Sequence, residues 1–173
     1  VAYIGCTQKL AKELEGRLTQ EEAPLGTGLH GWHANLYSFY DRKFVLLVND
    51  ATRFAVIFPV MNETEFQDFE RLFRENFKAE LTRLGFAPDD VAKALLALGP
   101  VTLGKTHNRS VLGTMNDMAF CLEGQLHLLG RLPENNEELW TLTRILNEMP
   151  CNSKNYKKAF FPSELMTELL ASL

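Results

Sequence analysis

Trp32-His33-Ala34-Asn35-Leu36-Tyr37-Ser38-Phe39-Tyr40 alternates with a period of two. Trp32, Ala34, Leu36, Ser38 and Tyr40 fall on one face, and His33, Asn35, Tyr37 and Phe39 on the other, as a pleated strand requires. Asp41-Arg42-Lys43 supplies a turn, Phe44 to Val48 a second strand, Asn49-Asp50-Ala51-Thr52 another turn, and Arg53 to Val60 a third strand. Short polar turns between β-branched and aromatic runs predict an antiparallel meander. Phe44 to Val48 is apolar on both sides and so reads as the central strand, covered on both faces.

Upstream, Ala2-Tyr3-Ile4-Gly5-Cys6 reads as a short strand. Thr7 is placed to cap a helix through Leu10, Leu14 and Leu18, and Glu21 to Gly31 is a glycine-rich loop. Downstream, Asn62 caps a long helix with Glu65 at the capping-box position. Phe66, Phe69, Leu72, Phe73, Phe77, Leu81 and Leu84 form its apolar stripe, and Gly85 ends it. Pro88-Asp89-Asp90 opens a shorter helix stopped at Gly99-Pro100, and Val101 to Leu103 suits one more strand. Two helices follow near the end of the chain, one carrying Leu139, Leu142, Ile145, Leu146 and Met149, the other Leu165, Leu169 and Leu170. The expected fold class is α+β: an antiparallel β-meander of three to five strands packed with helices, in a single domain over residues 1–173.

Residues 109–127 predict the central helix of that arrangement. Val111, Leu112, Met115, Met118, Ala119, Leu122 and Leu126 form a broad apolar stripe. The opposite line carries Arg109, Gly113, Asn116 and Phe120, flanked by Ser110 and Asp117. An aromatic ring and a bare backbone position on that line imply that the second face is covered too.

Composition narrows the function. With 173 residues, 46% hydrophobic and 23% charged, the chain is long enough for a real core and far from a disordered composition. A net charge of −4 gives no global basic field, which argues against duplex nucleic acid as partner. The three widely spaced cysteines, Cys6, Cys121 and Cys151, read as reduced thiols and place the protein in the cytoplasm. No apolar run approaches the roughly 20 residues of a membrane-spanning helix.

Several patterns compete for a chemical role. Gly99-Pro100-Val101-Thr102-Leu103-Gly104-Lys105-Thr106 matches the formal spacing of a phosphate-binding loop. Its interior does not suit one, because Pro100 lacks an N–H and Val101 and Leu103 are bulky where small, exposed donors are needed. Lys105, His107 and Arg109 beside a helix N-terminus could hold an anion, unless Asn108 caps that helix. His30, His33 and His107 offer three imidazoles, but no acidic or cysteine partner stands at ligand spacing, so no metal is assigned. Ser110, His107 and Asp117 have the residue types of a hydrolytic triad. Ser110 and Asp117 are two helical turns apart, about 10 Å along the axis, which leaves no place for His107 between them. Trp32, Tyr37, Phe39 and Tyr40 could stack a planar ligand or pack across strands. Lys154, Lys157 and Lys158 around Tyr156 form a basic, aromatic loop.

Five fragments carry a resemblance: Trp32-His33-Ala34-Asn35-Leu36-Tyr37, Asp50-Ala51-Thr52-Arg53-Phe54, Leu98-Gly99-Pro100, Arg109-Ser110-Val111-Leu112-Gly113-Thr114-Met115-Asn116 and Leu146-Asn147-Glu148-Met149-Pro150. In this order the chain resembles a bacterial domain of unknown function, found alone or at the N-terminus of plasmid open-reading-frame-three-like proteins. The resemblance implies a bacterial or phage origin and a mobile-element setting. It implies no activity, cofactor or catalytic residue. The expected function is a non-catalytic binding or interaction module. The alternative is an enzyme or sensor for a phosphorylated or nucleotide-like ligand. The candidate ligand-binding residues are Lys105, His107, Arg109, Ser110, Asn116, Asp117, Trp32, His33 and Asn35, with no catalytic residue, metal ligand or cofactor assigned and the partner left open between a protein and a small anion.

Overall fold

A computed structural model describes residues 1–60, 62–152 and 158–173. The loop containing Lys154, Tyr156 and Lys157 lies outside the described residues. Five strands, β1 (Ala2–Cys6), β2 (Gly31–Phe39), β3 (Arg42–Asn49), β4 (Ala55–Val60) and β5 (Val101–Lys105), form one sheet in the order β4-β3-β2-β1-β5. The meander β2-β3-β4 is antiparallel as expected, with Trp32 opposite Asn49 and Phe44 opposite Pro59. The other half corrects the expectation of a purely antiparallel sheet: β1 pairs parallel with both β2 and β5. Tight turns specify antiparallel neighbours locally, whereas parallel pairing needs a long crossover and leaves no signal at a turn. All five residues of β1 are buried, the pattern of a strand covered on both faces. The middle of the sheet is therefore β2, with β3 an interior, doubly covered strand beside it.

Seven helices lie among the described residues: α1 (Gln8–Glu13), α2 (Glu63–Gln67), α3 (Phe69–Arg83), α4 (Pro88–Leu98), α5 (Arg109–Leu129), α6 (Asn136–Asn147) and α7 (Pro162–Ala171). The first core packs Ile4, Trp32, Ala34, Val45, Leu47, Val56 and Phe58 against α1, α3, α4 and α7. Trp32 is wedged edge-on between Phe73 at 4.9 Å and Phe77 at 5.3 Å, which explains the three- and four-residue spacing of phenylalanines on α3. On the opposite face, Phe44, Leu46, Val48, Ala55 and Ile57 pack against Val111, Met115, Met118 and Leu122 of α5 and Leu142 and Leu146 of α6. The side chain of Asn147 on α6 bonds both the N–H and the C=O of Ala55, closing part of the exposed edge of β4.

Three local expectations change. The helix after Thr7 stops at Leu14, although Leu18 still packs on the core. The long phenylalanine helix breaks at Asp68 into α2 and α3, with Asn62 accepting from the Glu65 N–H at its start. Residues 109–127 do form one helix, α5, but it is not hidden on two sides. Gly113, Asn116 and Asp117 are exposed, and Phe120 is 79% exposed. One apolar stripe against the sheet and α6 suffices to fix the helix, so its polar line faces outward.

Candidate functional site

The strand pleat separates two neighbours in sequence. Trp32 enters the first core, while His33, one residue on, projects from the other face of β2 and is fully buried. It lies beside Gly5 of β1, where a Cβ would come within 3.0 Å of the His33 Nε2. Gly31 likewise leaves room for Asp50, whose Oδ2 would lie 2.9 Å from an added Cβ. Two glycines on this face therefore make space for an imidazole and a carboxylate.

Asp50 is set by the turn between β3 and β4. The Asn49 side chain accepts from the N–H groups of Ala51 and Thr52 and from the Thr52 hydroxyl, and donates to the carbonyls of Gly28 and Gly31. Arg53 closes the turn in the left-handed region, at φ 62°. Its guanidinium donates to the Asp50 carbonyl and, at 3.1 Å, to the Ser110 hydroxyl, joining the turn to the start of α5.

The third member comes from the loop between β5 and α5. Gly104 on β5 accommodates the Tyr3 ring, because an added Cβ would fall 2.0 Å from the Tyr3 hydroxyl. Tyr3 donates to the Lys105 carbonyl at 3.0 Å, and its ring meets the His107 ring edge-on at 5.6 Å. The chain then turns back over the sheet, so that the His107 N–H donates to the His33 Nε2 at 3.2 Å. That bond places the His33 proton on Nδ1, which donates to Asp50 Oδ1 at 2.7 Å. The second carboxylate oxygen, Oδ2, lies 3.6 Å from the His107 Nε2. A ring of contacts thus begins and ends at His107, with one carboxylate between two imidazoles. His33 and Asp50 are withdrawn from water, whereas the His107 side chain is 34% exposed. Burial, then the neighbouring His33, holds the His107 pKa below its usual value against the opposing pull of Asp50 and a hydrogen bond to the Lys105 carbonyl.

The site lies where the chain departs from β1 and β5 in opposite directions. After β1 it enters α1 on the first face, and after β5 it enters α5 on the second. In open sheets, ligands bind outside the carboxyl ends of adjacent parallel strands whose chains leave toward opposite faces.

Of the expected site residues, the structure brings His33, His107 and Ser110 into one neighbourhood. Trp32 is excluded because it points into the opposite core, where its indole donates to the Leu29 carbonyl at 2.6 Å. Asn35 accepts from the Thr7 hydroxyl at 2.5 Å and from the Leu36 N–H, and thereby ties α1 to β2. Lys105 and Arg109 are exposed, and Asn116 and Asp117 lie further along the outer line of α5. Asn108 caps α5 by accepting from the Ser110 and Val111 N–H groups, so those donors are already satisfied. Gly99 to Lys105 is no phosphate-binding loop, since Val101 to Lys105 is strand β5. His30 is bonded to the Ala97 carbonyl at 2.8 Å and belongs to a different region. The carboxylate beside His107 is Asp50, not Asp117. Sequence reasoning missed Asp50 because its segment reads simply as a turn, and 57 positions separate it from His107.

A mixed five-stranded sheet with helices on both faces and an imidazole–carboxylate–imidazole cluster on one of them defines the class of the molecule. Residues 3–165 match the family described as a domain of unknown function (DUF6933), and the chain belongs to that family. No curated protein matches it. No helix among the described residues is long and apolar enough to cross a membrane.

Proposed function

We propose that the chain is a binding domain whose site is the His33–Asp50–His107 cluster, with His107 the side chain that meets the ligand. The observation carrying this reading is the closed contact ring in which a buried imidazole and a largely buried carboxylate serve a third side chain that reaches solvent. A core that needed only stability would fill this space with apolar side chains, since burying a carboxylate costs free energy that hydrogen bonds at best offset. A non-catalytic role suits the surroundings: the Ser110 hydroxyl accepts from Arg53, and Asp117 stands in water along α5. The bacterial and mobile-element setting rests on the resemblance of the five fragments and is proposed on that ground. A sensor or enzyme for phosphorylated ligands would draw on Lys105 and Arg109 beside His107, so nucleotides belong in the test.

The test is an NMR titration of uniformly labelled protein with a panel of nucleotides, phosphate esters, carboxylates and divalent cations, read at the His33 and His107 rings. A saturable shift of the His107 ring supports the reading when the accompanying shift at the His33 ring is lost in His107→Ala. If every panel member leaves both rings where they were, the cluster is a structural feature and the reading falls.

A further inference from the structure

We infer that this site takes a divalent transition-metal ion, with Asp50 Oδ2 and His107 Nε2 as its protein ligands and His33 as the residue that orients the carboxylate. The inference rests on the binding reading above and names the ligand class. His33, Asp50 and His107 each present a ligand-type atom, all within 4.8 Å of one another. Their hydrogen bonds divide the roles. The His33 Nε2 accepts the His107 N–H, and its Nδ1 proton goes to Asp50 Oδ1, so neither ring nitrogen is free to coordinate. A hydrogen bond to the carboxylate oxygen that does not coordinate is the outer support that metal-bound carboxylates ordinarily have.

The remaining pair, Asp50 Oδ2 and His107 Nε2, is separated by 3.6 Å. This is longer than a hydrogen bond between such atoms. Two atoms bound to one ion at about 2.0–2.1 Å in a tetrahedral site lie roughly 3.3–3.4 Å apart, so a small inward movement of the exposed ring completes the geometry. A neutral imidazole coordinates through the lone pair of its unprotonated nitrogen, and the His107 nitrogen that faces Asp50 is Nε2. One imidazole nitrogen and one carboxylate oxygen suit zinc, nickel or cobalt better than calcium, which prefers oxygen alone. Two protein ligands leave coordination positions to water or to a second molecule. The ion is therefore exchangeable, unlike a structural zinc held by four side chains.

The probes are Zn²⁺ and Ni²⁺ alone, titrated calorimetrically into the full chain, with parallel spectra of the histidine rings. The expected result is one ion per chain, with the His107 ring as the main reporter. His107→Ala and Asp50→Asn should each weaken binding more than about tenfold. His33→Gln, which removes only the support, should weaken it by about tenfold without abolishing it. His107 is exposed, so its replacement leaves the fold intact, and circular dichroism of Asp50→Asn shows whether that variant is folded. Unchanged affinity in His107→Ala overturns the inference, as does failure of both ions to bind at millimolar concentration. A protein that ignores both metals while its His107 ring still moves with an anion overturns the metal assignment alone and leaves the binding site in place.

Discussion

Asp50 and Glu80 are both carboxylates withdrawn from water, with side chains 11% and 8% exposed, yet their surroundings differ. Asp50 accepts a hydrogen bond from His33 at 2.7 Å and faces a second imidazole across a short gap. Glu80, on α3, meets the Arg83 guanidinium at 3.7 Å, beyond hydrogen-bond reach. Arg83 in turn lies over the Trp140 ring at 5.4 Å, with Arg144 over the same ring at 5.9 Å. Burial pushes the Glu80 pKa up to about 7, and the attraction of Arg83 only partly opposes it. Equal burial therefore gives two different groups. One carboxylate is held by a donor built for it, while the other carries a desolvation penalty that a distant cation leaves largely in place.

The largest effect is expected at Asp50. Asp50→Ala leaves the buried Nδ1 proton of His33 without its acceptor and should cost about 3 kcal/mol, read as a lower urea midpoint at unchanged slope. Asp50→Asn keeps an acceptor oxygen and should lose less than half of that. If the two variants are equally destabilised, the hydrogen bond to His33 is not what Asp50 contributes.

At Glu80 the sign reverses. Its folded-state pKa lies above the ordinary 4.5, so the stability linked to its neutral form is complete below about pH 4.5 and is lost as pH rises through about 7. Glu80→Gln should therefore match wild type near pH 4 and exceed it near pH 8 by on the order of 2 kcal/mol. Melting curves across that range check this, and a pH-independent difference would show that burial does not raise the Glu80 pKa in the folded state.

His107 is the member of the cluster that reaches solvent. A third of its side chain is exposed, so His107→Ala should cost no more than about 1 kcal/mol, far less than Asp50→Ala. A loss as large as that of Asp50→Ala would make the ring of contacts a stability device. The smallest effect belongs to Phe120, whose ring stands in water on the outer line of α5. Phe120→Ser should change stability by less than about 0.5 kcal/mol, and a larger loss in the melting temperature would reveal something covering that face.

Much of the architecture was legible in order along the chain. The alternation from Trp32 to Tyr40, the two polar turns, the phenylalanine spacing of α3 and the Asn62, Asn108 and Gly85 ends of helices are all short-range features. Such features depend on periodicity and capping, which neighbouring residues fix among themselves. The outward face of α5 was misread because an aromatic on a polar line invites a partner that one-sided packing does not require.

By itself the sequence determined the strands, the helices, the antiparallel meander and the presence of His33 and His107 among the residues worth watching. Only the tertiary structure decided that β1 enters the sheet in parallel between β2 and β5, and that Trp32 and His33 serve opposite faces of the molecule. It alone brought Asp50 between two histidines from different segments. The reason is physical: turns and helix caps are written in adjacent residues, whereas parallel pairing and a three-segment site depend on contacts that exist only after the chain has closed long loops.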